Sequence, residues 1–366
     1  MAARFVAVQR AAPVLRRPVV PALLAMLCRE ALGPGARLQS PALIGEGHFN
    51  TTYRLDLADG RRVVLRLGPE SGVHLWRHEQ QMMARECSVQ PLLQSLGELI
   101  PRLLHADTSR RLVPRDWSVF EHRPGVVWET VMPRLRASDN EALWRDYGAL
   151  VARLHALQGD RFGFPAPAAA HGSVSGWFID LIDGLSSDLA EQGVAVPALD
   201  EFRALIALPA SRARLDAAVP AGQPSRLVHG DLWPRNVLVH EGPQGWRLSA
   251  LLDAERAFFG DPSAEWIFGF LDLPEAFWAA YGQRLGDADL RGDALWRRRA
   301  YQARGALQMV LEGCRFGFDA AFAQQQFARC CSDLGCMAPD DAAAGLDAPG
   351  TPIHRPVAGT RPAALA

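Results

Sequence analysis

The chain has 366 residues, enough for two lobes around a cleft, and its 49% hydrophobic and 22% charged content is that of a globular protein in water. A formal net charge of −1 at pH 7 gives no overall electrostatic case for binding nucleic acid or a membrane surface. All 39 residues counted as lysine plus arginine are arginine, and the lack of lysine excludes a Walker A phosphate loop, a pyridoxal phosphate Schiff base and a lysine nucleophile.

At the N-terminus, Arg4, Arg10, Arg16 and Arg17 precede an apolar run with no acid before Glu30, a charge pattern shared with secretory signals. Pro21 interrupts the run and no small-residue cleavage site follows, so residues 19–32 are expected to form an amphipathic helix. No stretch approaches the roughly 18 apolar residues of a membrane span, and a cytoplasmic location is expected. Six cysteines lie scattered without a C-x-x-C pair, which reads as free thiols in a reducing compartment and not as a zinc site.

Residues 38–44 and 51–57 alternate as strands, and Ala58-Asp59-Gly60 is a hairpin turn before a third strand at 62–67. The first connection reads Gly45-Glu46-Gly47-His48-Phe49-Asn50, and its glycines let backbone amides approach anionic oxygens. The third strand carries Arg66, which can bind phosphate bidentately. A helix is predicted from about 73 to 96, with Pro91 a candidate break. Glu79 on it is the first candidate to pair with Arg66, and Glu86 is the rival. His78-Glu79-Gln80-Gln81-Met82 has Met where a zinc-protease motif needs its second histidine, which excludes that reading.

Strands near Leu103 and at 117–120 lead into Glu121-His122-Arg123-Pro124-Gly125, where the Pro-Gly pair breaks regular structure. Ser138-x-x-Glu141 is a capping box for a helix whose Leu143, Tyr147, Leu150, Val151 and Leu154 share one face, and His155 at its end reads as structural. GSVSG at 172–176 lacks the central serine of a nucleophile elbow. Residues 172–205 are predicted helical, with Trp177 and Asp180 in the core or lining a pocket. Two more helices are expected over 295–336, and the Ala-, Pro-, Gly- and Asp-rich residues 337–366 are expected to be disordered.

The most informative stretch is 227–262. His229-Gly230-Asp231 is followed five residues after the aspartate by Asn236. Two predicted strands around a Gly- and Pro-rich turn then deliver Asp253, Glu255 and Gly260-Asp261-Pro262, with Glu265 beyond. Phosphoryl transfer needs a carboxylate to orient and deprotonate a hydroxyl, and oxygen ligands for a Mg²⁺ ion. Asp231, Asn236 and Asp253 supply both.

HGD-x-x-x-x-N, D-x-E and GDP-x-x-E together resemble the aminoglycoside phosphotransferase superfamily, which includes antibiotic, choline and fructosamine kinases, and the resemblance covers roughly residues 20 to 330. It implies an α+β, two-lobed protein-kinase-like fold. The antiparallel-sheet N-lobe would occupy 1–120, the hinge 121–125 and the mainly helical C-lobe 126–336, with its catalytic core at 227–265. Asp231 would be the catalytic base, with Asn236 and Asp253 as Mg²⁺ ligands. Gly45, Gly47, Asn50, Arg66, Glu79, Glu121 and His122 would bind ATP or GTP, the last two through the backbone of the hinge. His229 and Asp261 would brace loops, as would Glu265. Trp233 and Trp266 are possible substrate contacts, while Glu255 reads equally as metal ligand, substrate-facing acid or brace.

Protein kinases carry a lysine two residues after the base and a long activation segment. Here Trp233 stands at that position, and about eight residues separate Asp253 from the GDP turn. The acceptor is therefore expected to be a hydroxyl of a small molecule. Antibiotic-type substrates come first; the alternatives are a metabolic kinase, since Asp231-Leu232-Trp233 resembles the GDLW of fructosamine kinases, and a silent nucleotide-binding scaffold. The aromatic residues from Phe258 to Tyr281 read mainly as core.

Overall fold

The computed structural model describes residues 15–45, 47 and 49–336. The expected tail at 337–366, Arg4 and Arg10 at the N-terminus, and Glu46 and His48 of the glycine loop lie outside the described residues.

The chain opens with helix α1 (Pro21–Leu32), started by Pro21, whose fixed φ suits a first helical position. Strands β1 (Leu38–Ile44), β2 (Thr51–Leu57) and β3 (Arg62–Leu67) follow, then α2 (Met82–Leu93), β4 (Leu103–Asp107) and β5 (Trp117–Glu121). The five strands form one antiparallel sheet in the order β1-β2-β3-β5-β4. Alternation sorts its two faces. Tyr53, Leu55, Val63, Leu65, Trp117 and Val119 pack against Leu24, Leu27 and Cys28 of α1. Arg66 has the opposite parity to Leu65 and Leu67, so it leaves the sheet on the other face, toward the rest of the molecule.

After Gly125 come β6 (Val126–Val127), α3 (Trp128–Val131), α4 (Ala137–His155), β7 (Gln158–Gly159), α5 (Val174–Glu191), α6 (Leu199–Ala207) and α7 (Pro209–Asp216). Then follow β8 (Ser225–Val228), β9 (Val237–Gly242), β10 (Gly245–Leu251), β11 (Phe258–Gly260), α8 (Trp266–Phe270), α9 (Glu275–Tyr281), α10 (Gly292–Phe316) and α11 (Ala321–Leu334). This is the two-lobed α+β arrangement expected. The helical lobe has two apolar clusters, one joining α5, α10 and α11, the other joining α4 and α9 to β9 and β10. The second includes Val89 and Leu93, so α2 is anchored on the helical lobe. Among the described residues no helix is long and apolar enough to cross a membrane.

Three sequence expectations change. The helix predicted over 73–96 begins only at Met82, because Gln81 adopts a left-handed φ of 61° after a short 3-10 turn at Arg77–Glu79. Pro91 lies inside that helix without ending it. Helix α4 starts at Ala137, so Ser138 is its second residue and caps nothing; Arg136 instead holds Asp139 of the first turn at 2.8 Å. The predicted helical stretch 172–205 is α5, capped by Ser173, followed by a turn and α6.

Candidate active site

Strand β8 delivers His229, Gly230 and Asp231 into a loop held by one carboxylate. Glu265, fully buried at the start of α8, accepts from the backbone N–H of His229 and of Gly230, each at 2.9 Å. Charge-assisted bonds to a carboxylate are stronger than neutral ones. Gly230 has φ 77°, and a Cβ there would lie 2.4 Å from the Arg256 carbonyl oxygen, so only glycine fits. His229 Nε2 donates to the Leu252 carbonyl at 3.2 Å, which fixes the proton on that nitrogen. His155 is structural, lying against Tyr281 and Glu265.

The Asp231 carboxylate is clamped from both sides. Asn236 Nδ2 donates to Oδ2 at 2.9 Å, and Trp233 Nε1 donates to Oδ1 at 2.8 Å. Burial pushes its pKa up, the positive Arg256 pulls it back, and negative Asp253 adds to the rise. Trp233, a possible substrate contact from sequence, thus also positions Asp231. Since the Asn236 nitrogen is spent on Asp231, its Oδ1 is the atom left for a cation.

Asp253 follows β10 in a left-handed conformation, φ 68°, which turns its carboxylate out of the strand. Arg66 reaches it across the cleft at 2.7 Å. The same guanidinium meets Glu86 at 2.6 Å and Glu255 at 2.8 Å. Burial opposes the Arg66 charge, but the three carboxylates outweigh it and hold the pKa well above the ordinary value. Burial and Asp253 push Glu255 up to about 8. Oxygens of Glu86, Asp253 and Glu255 lie within 4.8 Å of one another. Hard oxygen donors of this kind are the type that Mg²⁺ prefers.

Several expected contacts are corrected. Glu79 does not pair with Arg66; it sits in the 3-10 turn before α2, accepts from the Trp76 backbone N–H at 3.0 Å and binds Arg315 of α10. Glu86 on α2 is the partner. Glu255, left open between metal ligand, substrate-facing acid and brace, is buried and accepts from Asn50 Nδ2 at 2.7 Å as well as from Arg66. Asn50 accordingly ties the glycine loop to Glu255. Gly45, φ 74°, and Gly47 border open space.

In the segment expected to be the hinge, the Glu121 side chain pairs with Arg102 and Arg123, while the His122 N–H donates to the Arg62 carbonyl at 3.4 Å. Asp261 braces its turn by accepting from Ser263, Tyr301 and Arg297. Trp177 is core, stacked on Phe258, and Asp180 is exposed. Phe258, Phe268, Phe277 and Trp278 are buried, whereas Trp266 stacks on Phe270 at 4.3 Å and approaches Trp233 at 6.0 Å, both of its partners half-buried.

Sequence reasoning missed the arginines beside the loop. Arg256 pairs with Glu312 of α10 at 3.0 Å, and Arg85, Arg304 and Arg315 lie near it. No sequence signal separates them in a chain whose every basic residue apart from histidine is arginine.

The family profile described as the phosphotransferase enzyme family matches residues 42–301. A search of curated proteins finds no match. Among solved structures, aminoglycoside phosphotransferase APH(4)-Ia is 18% identical, with 87% of this chain and 100% of that chain covered and a TM-score of 0.56. The gentamicin complex of APH(2″)-IIa is 14% identical, covers 87% and 97%, and scores 0.56. A candidate fructosamine-3-kinase of Thermobifida fusca is 18% identical, covers 89% and 99%, and scores 0.54. At such identities these likenesses establish the kinase-like fold alone. The profile match is the broader finding, since it spans more than half of the chain and runs from the end of β1 into the first part of α10, and by it this protein belongs to the phosphotransferase enzyme family.

Proposed function

We propose that the protein transfers the γ-phosphoryl group of ATP or GTP to a hydroxyl of a small molecule by direct in-line displacement. The observation that carries this reading is the doubly clamped Asp231, held beside Asp253 on a loop tied down by Glu265. Each Asp231 oxygen retains an acceptor site beyond its bond to Trp233 or Asn236, so the carboxylate can take the acceptor's proton. The hydroxyl oxygen bonds to the γ-phosphorus, the bond to the β-phosphate's bridging oxygen breaks, and the nucleoside diphosphate leaves with that electron pair. The raised Asp231 pKa makes it a better base than an exposed aspartate.

Arg66 supplies the cation for the phosphates, steered by Glu86, and Gly45 and Gly47 leave room for backbone amides to meet phosphate oxygens. Asn236 and Asp253 would hold Mg²⁺, which supplies charge neutralisation on the phosphates. The hinge at 121–125 would meet the base through backbone groups. Antibiotics and metabolites are the two acceptor classes that the sequence suggests. APH(2″)-IIa has been seen with gentamicin and APH(4)-Ia with ADP and hygromycin B, which supports an antibiotic-type acceptor by analogy.

The test is Mg²⁺-dependent release of ADP with a panel of hydroxyl compounds, and a mass spectrum of the compound that gains a phosphoryl group. Nucleotide binding without turnover on any acceptor would replace this reading with a silent scaffold.

A further inference from the structure

Near the catalytic loop, four guanidinium groups gather around His78. Arg85 on α2, Arg256 after Asp253, and Arg304 and Arg315 on α10 all bear on His78, in the turn before α2, and together with burial hold its pKa far below the ordinary value. The wall is linked to the catalytic loop by contact. Arg304 lies over the Trp266 ring at 5.9 Å, Trp266 approaches Trp233 at 6.0 Å, and Trp233 donates to Asp231. On its other side Arg304 donates to Gln308 at 3.1 Å, and Gln308 and Arg256 both donate to Glu312.

Carboxylates answer only part of this charge. Arg315 has Glu79 and Arg256 has Glu312. Among the described residues, Arg85 and Arg304 have no carboxylate within ion-pair reach. Arg85 is 2% exposed, lies over the Phe164 ring at 4.0 Å, and spends one nitrogen on the His78 carbonyl while its Nε lacks a partner. His78 Nδ1 is likewise buried and unpartnered. Burial pushes both guanidinium groups down to about 10, which leaves them charged at neutral pH. A buried charge without a counter-ion is costly to hold, and it is kept where a ligand completes it. Arg256 leaves 35% of its side chain open to solvent, and Arg304 is half-buried, so these two guanidinium groups can be reached by a ligand.

We propose that the acceptor is an anionic hydroxyl compound whose carboxylate or phosphate group is bound by Arg304 and its neighbouring guanidinium groups, with Trp266 against its apolar part and its hydroxyl presented to Asp231. This rests on the phosphotransferase reading above. It departs from the amino-sugar acceptors suggested by analogy, because ammonium groups would meet the partly exposed Arg256 and Arg304.

The test has two arms. In the first, inorganic sulfate is titrated at constant ionic strength, with the nucleotide site filled by Mg²⁺ and a non-hydrolysable ATP analogue, and read by tryptophan fluorescence. Wild type is expected to bind saturably. Arg304→Gln should weaken binding roughly tenfold or more, Arg304→Lys should restore part of it, and analogue affinity should not change. Should Arg304→Gln not fold, Gln308→Glu places a carboxylate against Arg304 and should weaken sulfate binding likewise. In the second arm, ADP release is measured with a neutral polyol, an amino sugar, a hydroxy acid and a sugar phosphate. The acids should be preferred, and Arg304→Gln should raise their KM with the KM for ATP unchanged; which acid is preferred identifies the group bound. Equal sulfate binding in wild type and variants, or turnover of the amino sugar unaffected by Arg304→Gln, would overturn the proposal and leave the phosphotransferase reading intact. Arginine-dependent sulfate binding without ADP release from any acceptor would uphold the anion pocket and remove the phosphotransferase reading.

Discussion

Arg66 on β3 and Glu86 on α2 meet at 2.6 Å across the interface between the sheet and the helix, with Glu86 buried beneath the guanidinium. The pair fixes how far α2 stands from the sheet, and it aims Arg66 at Asp253 and Glu255 on the other lobe.

Arg66→Ala should therefore act twice. Three carboxylates lose their common counter-charge, and breaking buried pairs of this kind costs about 3–5 kcal/mol. The loss should appear in chemical denaturation, and nucleotide affinity should fall with it. Glu86→Gln keeps the shape and removes one charge, so it should destabilise less while still raising the KM for ATP. An Arg66→Ala protein with wild-type stability and ATP KM would remove the cluster from both roles.

Why the sequence could not choose between Glu79 and Glu86 is a matter of period. Seven residues are nearly two full helical turns, so on one continuous helix from residue 73 both carboxylates share a face. The left-handed Gln81 ends that equivalence by putting Glu79 in a separate turn, and nothing in the local sequence marks it. The sheet was legible because period-two alternation in β2 and β3 coincides with burial on one face. The loop from His229 to Asn236 was legible because its spacing is short and set by backbone geometry. The arginine wall was not, since it is assembled from α2, α10 and the turn after Asp253, which are far apart in sequence.

Asp231→Asn preserves the shape between Trp233 and Asn236 and removes the proton acceptor. We expect kcat to drop by about 10²–10⁴, the usual contribution of a general base, with nucleotide affinity retained. Stopped or single-turnover assays with saturating ATP read this directly. A kcat within a few fold of wild type would take the base role from Asp231.

His78 makes a prediction for stability against pH. In the unfolded chain its imidazole takes up a proton near pH 6.5, whereas burial and four nearby arginines keep it neutral in the folded protein well below that. The unfolded state then binds more protons as pH falls through 6.5, so acid favours unfolding. This single group should cost up to about 1.4 kcal/mol per pH unit below 6.5 until the folded form protonates. His78→Gln should flatten the curve between pH 7 and 5. Parallel curves for wild type and variant would show that the imidazole is not held neutral by its neighbours.

Glu265 offers the sharpest separation of position from chemistry. Its carboxylate accepts from the N–H groups of His229 and Gly230 and from that of Trp266, using acceptor sites on both oxygens. Glu265→Gln keeps the size but puts an NH₂ where one oxygen stood, so a buried backbone N–H faces a donor and is left unpaired. An unsatisfied buried group costs about 1–3 kcal/mol, more for a lost charged partner. Asp231 lies one residue beyond, and loosening its loop should lower kcat while leaving the KM for ATP close to wild type, because Arg66 and the glycine loop are untouched. Glu265→Asp keeps the charge on a shorter stem and should recover part of the stability without recovering the full rate. Were Glu265→Gln to match wild type in both melting temperature and kcat, the loop would have to be held by something other than this carboxylate.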